Sequence, residues 1–293
     1  NTAVGFEALD ANTTAANNTG IGWRALYANT TGISNVALGT SAGAGITTGN
    51  FNVLVGHTTG DAITTADYNV ALGYGSLGAD TKGNRNTALG HNSLATQNFT
   101  SATDSYNTAV GTLAGYAVTT GAQNTLIGGQ SGDSITTGNN NDCFGYLAGN
   151  TITTGAQNTA IGVTALATTT TGTYNVGIGY AASASSATVS NEFTLGSTNI
   201  NSLRCNDQSI AALSDERDKT DIVNSSYGLD FINTVRPVQF KWETRDGNIK
   251  DGKTRLGFIA QELLTACNGN NDVLDLVMDE NPNKIEAKYS NLL

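Results

Sequence analysis

Residues 35–51 read NVALGTSAGAGITTGNF, and at Asn52 the same frame begins again. Asn35 stands first, the apolar Leu38 fourth and Gly39 fifth, and Thr47-Thr48-Gly49 falls late in the unit. In both directions the opening recurs, at Asn1, Asn18, Asn35, Asn52, Asn69 and Asn86, then at Asn107, Asn124, Asn141, Asn158 and Asn175. Each number exceeds the last by 17, except that Asn107 follows Asn86 by 21. Eleven copies share the frame, and a fixed period outranks local propensity as a guide to fold.

A unit of this length is too short for a helical hairpin repeat. Its β-branched residues with Gly and Asn punctuation favour strands and turns. The reading is therefore a mostly β chain in which each repeat is one coil of a β-solenoid. One strand falls on the Asn-to-Gly segment, and a second is expected on segments such as Ile46-Thr47-Thr48. Stacked Asn side chains can hydrogen-bond along such a ladder, and the fifth-position Gly permits positive φ or close backbone approach. Eleven coils at about 4.8 Å each make a rod of about 50 Å.

Each coil has too few large apolar residues for a secure core of its own. The small eighth residue (Ala8, Ala25, Ala42, Ser76) suggests close approach on another face. Packing of the apolar stripe against copies of itself around a threefold axis gives the expectation of a homotrimer. The alternative is a monomeric solenoid with two capped ends.

The charge is distributed unevenly. Residues 1–200 hold three basic side chains (Arg24, Lys82, Arg85) and nine acidic ones, whereas 201–293 hold 11 and 15. Two modules with different physics meet near residue 200. The division expected is a repeat domain over 1–180, a β-rich connector over 181–212 and a small α+β domain over 213–293. A net charge of −10 excludes a nucleic-acid partner, which needs a concentrated basic surface. No apolar run approaches the roughly 18 residues of a membrane span. The three cysteines, Cys143, Cys205 and Cys267, lie far apart. They show neither zinc spacing nor a disulfide framework and read as packing residues. Neither a metal nor a cofactor is expected. The chain opens at Asn1 with no initiator Met or signal peptide, and reads as a fragment of something longer.

Residues 1 to about 180 resemble the NTAVG-type repeats of viral fibre proteins and, more distantly, the β-roll heads of trimeric bacterial adhesins. Downstream, four motifs stand in order: Ser214-Asp215-x-Arg217-x-Lys219, Arg236-Pro237-Val238-x-Phe240-x-Trp242, Gly257-Phe258-Ile259-Ala260-Gln261-Glu262, and Tyr289-Ser290-x-Leu292. Together they resemble the intramolecular chaperone auto-processing domain at the C-termini of endosialidases and other phage tail fibres and tailspikes. Such domains continue into a long helix, which residues up to Leu293 do not include.

The resemblance implies a trimeric folding template that cleaves itself off between Leu213 and Ser214. Ser214 is then the nucleophile and Lys219 its base, a role that requires the lysine pKa to be lowered by burial or by a cation such as Arg217. The residues alone support a second reading. Ser214 followed by Asp215 and Glu216 makes a good helix N-cap with acids in the first turn. Both roles are compatible.

The leading functional expectation is a viral, most simply phage-tail, fibre. It binds a host-cell receptor of glycan type, joins other virion proteins, and carries a self-cleaving chaperone of single turnover. The insertion-bearing coil, with Phe99 and Tyr106, is the candidate receptor contact, because solenoid insertions map to one face. Phe99 and Tyr106 read equally well as covers for the core edge. Trp23, His57 and His91 follow the repeat Gly and are expected to face outward. The alternatives are an uncleaved trimeric surface adhesin and a glycan-degrading tailspike. The tailspike needs paired carboxylates, for which Asp61, Asp67, Asp80, Asp104, Asp133 and Asp142 form no cluster in the sequence.

Overall fold

The computed structural model describes residues 1–200, 220–222, 227–243, 250, 252–269, 271–279 and 285–288. The chain divides into two compact units, Asn1–Ser197 and Thr198–Leu293.

In the first unit each coil contributes one three-residue strand, from Thr2–Val4 in the first to Phe193–Leu195 in the last. Twelve of these strands form one parallel sheet in chain order. Val36 pairs with Val53 and Leu54 with Ala71, the same step that separates Asn35 from Asn52. Only the step from Thr87 to Thr108, across the long coil, is larger. The molecule is thus a β-solenoid whose coil is the sequence repeat.

The stacked asparagines hold the rungs together. Asn35 N–H and Nδ2 both donate to Asn18 Oδ1, at 2.8 and 3.2 Å, and Nδ2 also donates across the coil to Gly49 O at 2.8 Å. The same three bonds recur at Asn52, Asn69, Asn124, Asn141 and Asn158. All of these side chains are fully buried, and the bonds satisfy the polar atoms that burial would otherwise leave orphaned. The fifth-position Gly is required by crowding as well as by dihedral. Gly111 has φ +136, and a Cβ there would lie 2.5 Å from Gly128 O.

In the regular coils the second expected strand is absent. Thr47, Thr48 and Gly49 N–H converge on the single acceptor Thr64 O, at 2.9, 3.3 and 3.3 Å. A strand would use alternating partners, so this segment stacks as a bend instead. The Thr47 hydroxyl adds a bond to the same carbonyl at 3.1 Å.

The core is one large side chain wide. Where the ninth residue of a coil is Leu, the twelfth is polar, as in Leu26/Asn29, Leu77/Asp80, Leu94/Gln97 and Leu166/Thr169. Where the ninth is Gly, the twelfth is Ile or Val, as in Gly43/Ile46, Gly60/Ile63, Gly115/Val118 and Gly149/Ile152. Both arrangements fill the same space. A Cβ on Gly43 would sit 2.8 Å from Leu54 Cδ1 and 3.1 Å from Ile46 Cδ1. Each such side chain is fully buried, and burial of one contributes about 1.5–3 kcal/mol. The eighth-position residues Ala25, Ala42, Ala114 and Ala148 are also fully buried and belong to this interior rather than to a second contact face.

Strand alternation places the third residue inside and the second and fourth outside. Ala37 is fully buried, whereas Val36 and Leu38 are 38% and 45% exposed. Leu72, Ile127, Phe144 and Ile161 continue the exposed apolar row.

The sheet extends into the segment expected to be a connector. Glu192 takes the Asn position one regular period after Asn175, and its N–H donates to Asn175 Oδ1 at 3.0 Å. The last copy therefore keeps the regular spacing, with Glu in place of Asn. Its carboxylate accepts bonds from Ser185 N–H and Oγ, at 2.9 and 2.6 Å.

The second unit is a small α+β assembly. Strand Val238–Phe240 pairs antiparallel with Arg255–Gly257, and helix Ala260–Cys267 follows. Val277–Met278 pairs antiparallel with Glu286–Ala287. Leu263, Cys267, Leu276 and Val277 are its buried centre, with Phe231, Val235 and Phe258 against them. The helix preceding the first strand is a single turn, Leu229–Ile232. Its N-cap is Gly228, which has no side chain to cap the free N–H groups.

Candidate functional site

In the second unit the structure joins two of the four sequence motifs. Val238, Gln239 and Phe240 lie in register with Gly257, Leu256 and Arg255. Arg236 Nε donates to Glu262 Oε2 at 3.0 Å, and its Nη2 reaches Oε1. This fork raises the Arg236 pKa, first through the hydrogen bond to Glu262 and then through its charge. Phe240 and Trp242 meet edge to face at 5.1 Å. The proposed scissile pair Leu213 and Ser214, the base Lys219 and the last motif, Tyr289 to Leu292, lie outside the described residues.

In the first unit the chemistry gathers around the long coil. Gly83–Asn84 pairs with Thr103–Asp104 as a two-stranded parallel sheet, and the four extra residues are accommodated beside it. The amide ladder is rerouted here. Ser105 Oγ and Asn107 N–H donate to Asn86 Oδ1, at 2.9 and 3.2 Å. Asn107 Nδ2 turns instead to Gln97 Oε1 at 2.8 Å, and Gln97 Nε2 donates to Asp80 Oδ2 at 2.5 Å. Asp80 Oδ1 accepts from the N–H groups of Gly83, Lys82 and Phe99.

Asp80 sits where other coils bury Ile, and desolvation raises its carboxyl pKa despite these donors. The sign follows from linkage. With the folded pKa above the unfolded one, the contribution of this group to stability is complete below the unfolded value of 3.8. It is lost as pH rises through the folded value. Asp80→Asn is expected to flatten the acid end of the stability profile, read as thermal midpoint against pH, and an unchanged profile would contradict the assignment.

The two candidate receptor residues part company. Phe99 is only 7% exposed, and its ring lies beneath Gly83, where a Cβ would approach Phe99 Cδ2 to 2.9 Å. It covers the core edge and offers no face to a sugar. Tyr106 is half exposed, with the Arg85 guanidinium 5.7 Å from its ring centre. Arg85 also lies 4.8 Å over Tyr68 and pairs with Asp104 at 3.2 Å. Trp23, His57 and His91 do face outward, and His57, Tyr74 and His91 stack at 5.4 Å spacing. Sequence reading missed this stacking, although the recurrence of rings immediately after the repeat Gly was visible. Among the described residues no group of three or more acidic, His or Cys side chains is placed to hold a metal.

The chain thus joins a regular β-solenoid to a small α+β unit. Residues 214–270 match the family described as chaperone of endosialidase. With the solenoid of about eleven turns, this fits a phage fibre bearing a C-terminal chaperone domain. No curated protein and no solved structure matches the chain. No helix among the described residues is long and apolar enough to cross a membrane.

Proposed function

We propose that the chain is the adhesive part of a homotrimeric phage tail fibre. The rod binds a host-surface glycan, and the C-terminal domain aligns the three chains during folding and then releases itself. The observation that carries the reading is the chaperone match over 214–270, directly beyond a solenoid with an uncovered apolar sheet face. Parallel sheets are ordinarily covered on both faces. Twelve rungs at about 4.8 Å, with a strip about 12 Å wide, give roughly 600 Å². That is of the order each partner contributes to a stable interface.

For release, Ser214 Oγ attacks the carbonyl carbon of Leu213 while Lys219 takes the hydroxyl proton. The C–N bond breaks, and the proton passes to the departing amine of Ser214. Water hydrolyses the resulting ester, leaving a Leu213 carboxylate and a free Ser214 N-terminus. Expression of the whole chain and of its Ser214→Ala and Lys219→Ala variants tests this. Mass spectrometry should find a new N-terminus at Ser214 in the unmodified chain only; a single intact band in all three would reduce the domain to an uncleaved template.

A further inference from the structure

We infer that two side-chain columns flanking the strand face fix which rung of one copy lies beside which rung of the next. The inference rests on the trimeric reading above and names the surface that gives it register. The apolar row alone cannot do this. Its fourth positions are apolar in every coil and its second positions are Thr or Val except at Asp142 and Phe193, so over most of the row a slide of one rung exchanges like for like.

The flanking columns differ from rung to rung. The residue before each ladder Asn has left-handed φ in every coil, and most coils use small or amide side chains there, such as Ser34 (φ +57), Gln123 (+59) and Asn140 (+57). Four consecutive coils instead place Phe51 (+58), Tyr68 (+61), Arg85 (+62) and Tyr106 (+50) there, and Tyr174 (+59) stands alone further along. A bulky side chain in this region costs about 1–2 kcal/mol. Phe51, Tyr68 and Tyr106 remain 44–51% exposed, so burial within the chain does not offset it. Ring stacking and the Arg85 contacts along the column offset part of this strain, and the faces left exposed point to a contact outside the chain.

The column is stiffened in advance. Phe51 and Tyr68 stack at 5.1 Å and 6°, and Arg85 bridges Tyr68 to Tyr106. Pre-ordered Tyr and Arg side chains are the groups that dominate interface energetics.

The opposite edge of the same rungs carries the second column. Phe51 and His57 flank strand Val53–Val55, Tyr68 and Tyr74 flank Val70–Leu72, and Arg85 and His91 flank Thr87–Leu89. The preceding rung has the small pair Ser34 and Thr40 about strand Val36–Leu38. In a closed threefold ring one edge of each copy meets the other edge of its neighbour. Level pairing then sets large against large at Phe51/His57, Tyr68/Tyr74 and Arg85/His91 and small against small at Ser34/Thr40, with Tyr106/Thr112, Asn17/Trp23 and Asn140/Tyr146 as exceptions, whereas a slip of one rung brings Ser34 to His57 and Arg85 to Thr112.

Paired cysteines in the whole chain test this. Ser34→Cys with Thr40→Cys reports level copies, and Asn17→Cys with Thr40→Cys reports a one-rung slip; each single variant serves as background. The level pair should form interchain disulfides about ten-fold more efficiently than the slipped pair. In the background Phe51→Asn, Tyr68→Asn, Tyr106→Gln, residues that suit the same φ, the preference should fall to about two-fold or less. Circular dichroism confirms that this background folds. An undiminished preference there would overturn the inference while leaving the trimer intact; a single-chain mass for the unmodified protein would instead remove the reading beneath it.

Discussion

Leu38→Asp together with Ile127→Asp should convert the assembled protein to single chains. Both side chains lie on the outward strand face, 45% and 37% exposed, and neither contributes to the coil interior. In an isolated chain such surface changes cost within about 0.5 kcal/mol, so the solenoid should keep its circular dichroism. At a threefold contact each substitution would bring three carboxylates together without partners, and a buried unpaired charge costs several kcal/mol. Light scattering should therefore report the mass of one chain with the rod still folded. Retention of the assembled mass would place the contact on another face.

The second large effect is internal. Asn124→Ala should destabilise the solenoid by about 3–6 kcal/mol, from roughly 1–3 kcal/mol for each buried group left unpaired. Asn124 Nδ2 donates to Gly138 O at 3.0 Å, and its Oδ1 accepts from Asn141 N–H and Nδ2 at 3.0 and 3.1 Å. Asn107 Oδ1 loses a donor as well. The midpoint of chemical denaturation should fall accordingly. By contrast, Asn140→Ala, on an exposed side chain one residue before the ladder, should lose little beyond its preference for left-handed φ. Equal losses in the two variants would show that the ladder bonds do not carry the stability assigned to them.

The period made the solenoid legible, because a contact that recurs once in every coil repeats whatever chemistry it needs. Asn first and Gly fifth were readable for that reason, one as a buried amide and the other as a close backbone approach. The Thr-Thr-Gly segment misled because β-branched residues favour strands, while three N–H groups sharing Thr64 O bend the chain. The exchange between Leu26 with Asn29 and Gly43 with Ile46 was present in the letters. It becomes interpretable only once the ninth and twelfth positions are known to share one volume. Glu192 was passed over because it lacks the amide that marked the other rungs. Phe99 looked like a contact because insertions face solvent, yet its own coil folds over it. In the C-terminal unit, motif order identified the family and the structure adds the Arg236–Glu262 fork. The roles proposed for Ser214 and Lys219 rest on the resemblance of their motif, and the match over 214–270 covers both residues.

Sheet face, ring columns and chaperone match together support the proposal that the rod is completed by further copies of itself. The solution mass of the unmodified chain tests this most directly. Light scattering should give three times the 30.1 kDa of one chain, less the released domains if cleavage proceeds. A stable, folded species of one chain's mass would contradict the account.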